Sequence, residues 1–253
     1  MDVTFKRKSI SGYFFNYYED DRIVFGFTER GFTPRALAGA FPDFHLKELK
    51  QVHSDIVLFS SRIPTVQPSP EEPIMEGDGI ILDETWTLAV IRTADCTPLF
   101  FRDRDYTVGG VVHIGWRGLY KGIEKKIPAL LEERSIQPDN LHFYLGPAIE
   151  KTCYEVGPDL YEKFSIKKYR ENIFSKKPGR ETGKYWMDVR EGISLSLEEM
   201  GVPVQRITKS GLCTFCETDR FPSYRRDKGP DDGNRRLYSF LALKSEDTPR
   251  RPA

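Results

Sequence analysis

Histidine and cysteine are both scarce in this chain, with four of each among 253 residues. A multicopper oxidase carrying a type 1 and a trinuclear centre would consume about ten imidazoles, so the histidine supply leaves room for one mononuclear site of mixed nitrogen and sulfur ligands. Four cysteines are too few for a disulfide scaffold at this length, and Cys96, Cys153, Cys213 and Cys216 are expected as thiols or ligands. Net charge is missing as well. The 38 Lys and Arg balance 38 Asp and Glu, which removes the electrostatic drive toward nucleic acid or an anionic membrane surface. Apolar runs are short: Leu88 to Ile91 and Leu99 to Phe101 fall far below the ~20 residues that span a bilayer. Lys6, Arg7 and Lys8 precede no sustained apolar stretch and no small-residue cleavage site. The expectation is therefore a cytoplasmic protein with no membrane partner and no nucleic-acid partner.

Aromatic side chains, by contrast, are plentiful. With 17 Phe, 12 Tyr and 3 Trp, and 39% apolar residues overall, the chain can fill a sizeable core. At ~150 residues per domain the length fits one large domain or two small ones. The only Pro-rich stretch, Ile63 to Pro73 with four prolines, reads as a surface loop and not as a linker. The expectation is a single domain over 1–253, with a core from about 23 to 243 and a charged tail, 244–253, that is disordered. Short apolar or β-branched runs predict strands at Ile23 to Phe27, Ile56 to Phe59, Gly79 to Leu82, Leu88 to Arg92, Pro98 to Phe101, Val108 to His113, Leu141 to Leu145 and Val204 to Ile207. Helical spacing links Leu119, Ile123, Ile127, Leu130 and Leu131 after Gly118, and Val189, Ile193, Leu197 and Met200 before Gly201. Strands outnumber helices without regular alternation, which predicts an α/β or α+β single domain with helices packed outside sheets and not a doubly wound fold.

Three candidate ligands stand at predicted strand ends. His53 closes Gln51-Val52-His53, Cys96 lies in the turn Thr93 to Pro98, and His113 ends an apolar strand just before Gly115-Trp116-Arg117-Gly118. Two imidazoles and one thiolate make a sensible zinc site and leave a fourth position for a water made nucleophilic near neutral pH. Their spacing is not that of a compact metal motif, so two other readings stand beside it: a satisfied core Cys and His, or a metal-free nucleophile with Cys96 deprotonated by His113. Arg117, at the start of the best helix, is a candidate to hold an anion such as phosphate. Cys213-Thr214-Phe215-Cys216 has C-x-x-C spacing, but no further Cys or His pair stands out to complete four ligands, so it is expected not to be a second metal site. Ser223-Tyr224-Arg225-Arg226-Asp227 reads either as a solvated turn or as a second anion-binding or gating element.

Taken in order, Gln51-Val52-His53, Gly77-Asp78-Gly79-Ile80, Thr93-Ala94-Asp95-Cys96-Thr97-Pro98, His113-Ile114-Gly115-Trp116-Arg117-Gly118, Leu145-Gly146-Pro147, Cys153-Tyr154-Glu155-Val156-Gly157, Cys213-Thr214-Phe215-Cys216 and Ser223-Tyr224-Arg225-Arg226-Asp227 resemble the YfiH-like family, also called the laccase-domain, polyphenol oxidase or peptidoglycan editing factor family. The resemblance runs from about Gly26 to Leu243. It implies a layered α/β/β/α domain with mixed sheets, similar to the cytotoxic necrotizing factor fold. It also implies metal ligation by His53, Cys96 and His113, with zinc the usual occupant and copper in some members. The implied activity is phosphorolysis of adenosine, inosine and methylthioadenosine with adenosine deamination, polyphenol oxidation being secondary. Purine nucleosides and phosphate are then the small-molecule partners, with Arg117 and, second, Arg30 as phosphate-binding groups. One family name leaves open a Cys96/His113 hydrolase acting on peptidoglycan precursors, and the short segment before Gln51 leaves open a non-catalytic binding protein that keeps the fold. Ser54, Thr97 and Ile114 depart from the family's usual residues beside the ligands, and only about twenty residues separate Arg30 from Gln51, which shortens one expected wall of the pocket.

Overall fold

The computed structural model describes residues 3–10, 12–65, 75–177, 183–227 and 235–245. The chain opens with a hairpin, β1 (Lys6–Ile10) and β2 (Tyr13–Glu19), followed by β3 (Ile23–Thr28), the short helix α1 (Pro34–Ala40) and β4 (His45–Glu48). Next come β5 (Val57–Phe59), β6 (Gly79–Leu82), β7 (Thr87–Thr93), β8 (Thr97–Asp103) and β9 (Gly109–Ile114). Two helices follow, α2 (Trp116–Lys121) and α3 (Ile123–Glu132), then β10 (Leu141–Leu145), β11 (Glu155–Val156), α4 (Pro158–Lys163) and α5 (Arg170–Ile173). β12 (Phe174–Lys176), β13 (Tyr185–Met187), α6 (Val189–Glu199), β14 (Ile207–Lys209) and β15 (Leu237–Leu243) complete the order. None of these helices is long and apolar enough to cross a membrane.

The strands form two six-stranded sheets, ordered β1-β2-β3-β15-β7-β4 and β14-β10-β8-β9-β6-β5, and a small third sheet, β11-β13-β12. Both large sheets are mixed: β4 runs parallel to β7, β14 to β10 and β5 to β6, while the other pairs are antiparallel. Period-two alternation sends successive side chains to opposite faces, and here both faces are dry. In β3 and β15, Ile23, Phe25, Leu241 and Leu243 meet Ile80, Phe100 and Val111 of the second sheet. Val24, Phe240 and Ala242 point the other way and pack with Phe32 and Leu37 of the α1 layer. On the far face of the second sheet, Leu99, Phe101, Val112 and Ile114 receive Leu119, Ile123, Ile127, Ile193 and Leu197 from α2, α3 and α6. The order of layers is thus α/β/β/α, as the family resemblance implies. Strands buried on both sides read as unbroken apolar runs, and each fully buried Leu, Ile or Phe contributes ~1.5–3 kcal/mol.

Several expectations need correction. The paired structure begins at Lys6 and not near residue 23, because β1 is almost wholly exposed and its Lys-Arg-Lys-Ser sequence suits an edge strand without offering apolar alternation. The α1 helix, β4 and the central strand β15 were not predicted. The run Val204 to Ile207 is mainly a 3-10 turn (Val204–Arg206) leading into β14. The single helix expected after Gly118 is two, because Gly122 adopts a left-handed backbone (φ +82°) that ends α2 and caps α3. Most of the Pro-rich loop and most of the expected tail lie outside the described residues.

Candidate active site

His53, Cys96 and His113 converge: one ligand atom from each lies within 4.8 Å of the others. Each stands where the chain leaves a sheet. Cys96 sits on the link Ala94 to Cys96, which carries the backbone from β7 in the first sheet to β8 in the second. His53 lies on the passage from β4 to β5, another change of sheet, and His113 is the penultimate residue of β9. Two of these turns are tight enough to need left-handed backbone at non-glycine residues, His53 (φ 56°) and Asp95 (φ 81°). The His53 and His113 rings are 4.8 Å apart at 76°. Gly115 has no room for a side chain, since a Cβ there would stand 2.8 Å from Cys96 Sγ and 3.4 Å from the His53 ring.

Two carboxylates hold this arrangement. Asp78 is fully buried and accepts hydrogen bonds from the backbone N–H of Val52 (3.3 Å), His53 (3.1 Å) and Ser54 (2.6 Å), from Ser54 Oγ (2.6 Å) and from His113 Nδ1 (2.8 Å). Burial alone would raise its pKa, but the bonds from His113 and Ser54 bring it down to about 2, so Asp78 is a pure acceptor and His113 Nδ1 carries the proton. That leaves His113 Nε2 as the ring atom turned toward Cys96 and His53, the one that would ligate a cation after giving up its proton. Carboxylate, imidazole and a convergent second imidazole and thiol form the donor set of a metal centre with its orienting outer partner, and these residues fit a zinc-sized cation. The second carboxylate, Asp95, accepts from Thr214 Oγ1 (2.7 Å), Ser223 Oγ (2.9 Å) and the Arg225 N–H (2.7 Å), anchoring the Cys96 turn to the segment 214–225.

Burial would push the Cys96 thiol up, yet the charge of His113 and hydrogen bonds from His113 and His53 draw it down to about 6. Burial likewise opposes charge on His113, and Cys96 and Asp78 overcome it, raising the imidazole to about 9. Without a cation, thiolate and imidazolium therefore stabilise each other.

The three residues open into a cavity of about 730 Å³, within the range of small-molecule sites. Trp116, Tyr154, Ile149 and Tyr224 give it apolar faces, and Lys50, Arg92, Arg117, Arg225 and Arg236 make its rim basic. Arg117 is exposed on the first turn of α2, its guanidinium 4.6 Å from the centre of the Trp116 ring. Arg30, the other expected phosphate ligand, does not line the cavity. Its guanidinium is engaged by Asp227 (2.7 Å) and by the carbonyls of Phe221 and Thr218, so it fastens the Ser223 to Asp227 segment. That segment is not a solvated turn: Arg226 donates to the carbonyls of Thr214, Phe215 and Phe221, and Tyr224 and Arg225 reach the cavity. His45 and His142 stand apart from the ligand group.

Asp78 and the basic residues Lys50 and Arg92 were not assigned a role from the sequence, whereas Arg225 lies in the segment read there as a solvated turn or an anion-binding or gating element. Asp78 was visible there only as the middle of Gly77-Asp78-Gly79. The elimination applied to Cys213 and Cys216 also fails in its premise, because the structure brings Cys153 beside them.

The family model described as multi-copper polyphenol oxidoreductase laccase matches residues 35–244, and the chain belongs to that family. Purine nucleoside phosphorylase YlmD of Geobacillus stearothermophilus is 34% identical over 172 residues, 67% of this chain and 61% of the relative. Purine nucleoside phosphorylase YfiH of Shigella flexneri is 31% identical over 195 residues, 77% and 72% of the two chains. Adenosine deaminase RL5, from an unknown prokaryotic organism, is 29% identical over 180 residues, 70% and 68%. The matched part spans 61% and 59% of the length of the YlmD proteins of G. stearothermophilus and Bacillus subtilis. The crystal structure of the G. stearothermophilus protein superposes with a TM-score of 0.75 at 24% identity, covering 96% of this chain and all of the other, so the two share the fold. Membership in a laccase-like family, together with the His/Cys/His group, supports metal binding.

Proposed function

We propose that this chain is a zinc-dependent purine nucleoside phosphorylase acting on adenosine, inosine and methylthioadenosine, with adenosine deaminase activity and copper-dependent polyphenol oxidation as a secondary reaction. The observation that carries this reading is the convergence of His53, Cys96 and His113 on the floor of a basic-rimmed, aromatic-walled cavity. It is supported by relatives named as purine nucleoside phosphorylases and as an adenosine deaminase.

Held by His53, Cys96 and His113, zinc would supply Lewis acidity and would make water more nucleophilic near neutral pH. The protein's own groups do the rest. Asp78 fixes the His113 tautomer, and Asp95 fixes the turn that presents Cys96. The faces of Trp116 and Tyr154 suit a purine ring. Phosphorolysis needs phosphate held against C1′ while the purine departs from an oxocarbenium-like centre, and the guanidinium of Arg117 is the group assigned to that task. Four histidines give copper at most a mononuclear centre here, which keeps oxidation secondary.

A second reading has one observation in its favour: Cys96 and His113 place their donor atoms within 4.8 Å of each other, and an imidazole that draws a thiol down is what a metal-free cysteine hydrolase acting on peptidoglycan precursors requires. Chelation separates the two, since adenosine and inosine turnover is lost with the metal on the first reading. Arg117→Ala then tests the phosphate role. Losing a charge-assisted bidentate contact is worth ~1.5–3 kcal/mol, so the KM for phosphate in inosine phosphorolysis should rise roughly ten- to a hundredfold while adenosine deamination, which consumes water, changes little. Equal losses in both reactions would withdraw phosphate binding from Arg117.

A further inference from the structure

A second convergence of soft donors lies behind the wall of the cavity. Cys153 ends a 3-10 turn (Lys151–Cys153) after β10, and Cys213 and Cys216 close the turn Cys213-Thr214-Phe215-Cys216. A parallel bridge between Ala148 and Cys213 brings the two segments together. Cys153 Sγ and Cys216 Sγ are 3.3 Å apart, and the three sulfurs all lie within 4.8 Å of one another. Ligands at 2.3 Å in a tetrahedron stand about 3.8 Å apart, so these separations bracket what one ion needs; a disulfide would need about 2.05 Å. The Glu150 N–H donates to Cys213 Sγ at 3.4 Å, the kind of outer hydrogen bond that orients a thiolate ligand.

We propose that Cys153, Cys213 and Cys216 bind a second zinc ion, separate from the centre at His53, Cys96 and His113. Three sulfurs select a soft cation over magnesium or calcium. The three S–H protons pass to solvent on binding, and the fourth position, beside exposed Cys216, takes a water molecule. The role is structural. Cys153 adjoins Tyr154, which lines the cavity, and the C-x-x-C turn contains Thr214, which holds Asp95 beside Cys96. An ion there cross-links two segments 63 residues apart and fastens both to the cavity wall.

Metal analysis and cobalt spectroscopy on the whole protein test this, and neither depends on the nucleoside reaction. Zinc per chain should be two in the wild type, one in Cys216→Ser and one in Cys96→Ser. Loaded with cobalt, Cys96→Ser should keep an intense sulfur-to-cobalt charge-transfer band, which Cys96→Ser/Cys216→Ser should lose. Zinc should also raise the Tm of Cys96→Ser but not that of the double variant. If the double variant does not fold, the band in Cys96→Ser alone decides, since no other thiols remain to give it. A wild type with one zinc per chain that Cys216→Ser leaves unchanged, or an intact mass short by two hydrogens from a Cys153–Cys216 disulfide, would overturn the proposal. Loss of zinc at the first centre with the cobalt band retained would sink the proposed reaction and leave this site standing.

Discussion

At the scale of single residues, Asp78 does most to shape the site, since one buried carboxylate gathers the backbone of Val52 to Ser54 and the ring of His113. In Asp78→Asn the amide keeps one acceptor oxygen and turns an NH2 group toward donors that have nowhere else to go. Removing such an outer partner weakens metal binding ten- to a hundredfold in general. Competition with a chromophoric chelator should show that loss in Asp78→Asn while the folded circular dichroism persists. The sign of the pH effect follows from the same bonds. A folded-state pKa of about 2, below the ordinary 3.8, means stability that is present above about pH 4 and lost as pH falls toward 2. His53, Cys96 and His113 could be picked out as candidates because His and Cys are rare here, but residue type and spacing left other readings open and only the ordered family motifs implied a shared ligand role. Asp78 could not be picked out: a carboxylate that works by collecting backbone N–H groups has no spacing signature. Cys153 was hidden for a different reason, since Cys216 lies 63 residues away in sequence and it is backbone pairing such as the Ala148–Cys213 bridge, not spacing, that joins the two segments.

At the scale of elements, the packing of α3 on α6 contains a polar contact that period and propensity do not reveal. Glu124, in the first turn of α3, is fully buried, accepts from Ser196 Oγ of α6 and leaves its second oxygen without a partner. Burial raises its pKa to about 7 against the pull of that bond and of Lys167 and Lys125. The folded state therefore holds the proton longer than the unfolded chain, and stability declines as pH rises from about 4.5 to about 7, by ~3 kcal/mol at most. Glu124→Gln should raise the Tm at pH 8 and leave it nearly unchanged at pH 4.5; an equal gain at both values would mean that Glu124 is ionised in the fold. The helices were legible from their apolar spacing, apart from the break at Gly122. Most central strands were legible because both faces are dry. The β1 edge and α1 lacked an apolar pattern of the expected period, and β15 escaped notice because it follows a charged run and is interrupted by Ser239.

At the scale of the whole molecule, helices packed outside sheets could be read from strands outnumbering helices without alternation and the α/β/β/α layering followed from the family resemblance, but the sheet order could not be read, because pairing partners are far apart in sequence. β15 is the plain case: it lies between β3 and β7, hydrogen-bonded to both. A chain ending at Arg236 should therefore aggregate instead of melting cooperatively. Soluble, cooperatively melting protein from that chain would show that β3 and β7 can close on each other. The same placement sets a timetable for synthesis on the ribosome. β3 and β7 emerge early, and roughly 140 residues must follow before the strand that joins them appears, roughly seven to thirty seconds at ordinary elongation rates. Through that interval two apolar strand edges face each other across a gap, so the nascent chain is a natural client for a holding chaperone until its middle strand arrives.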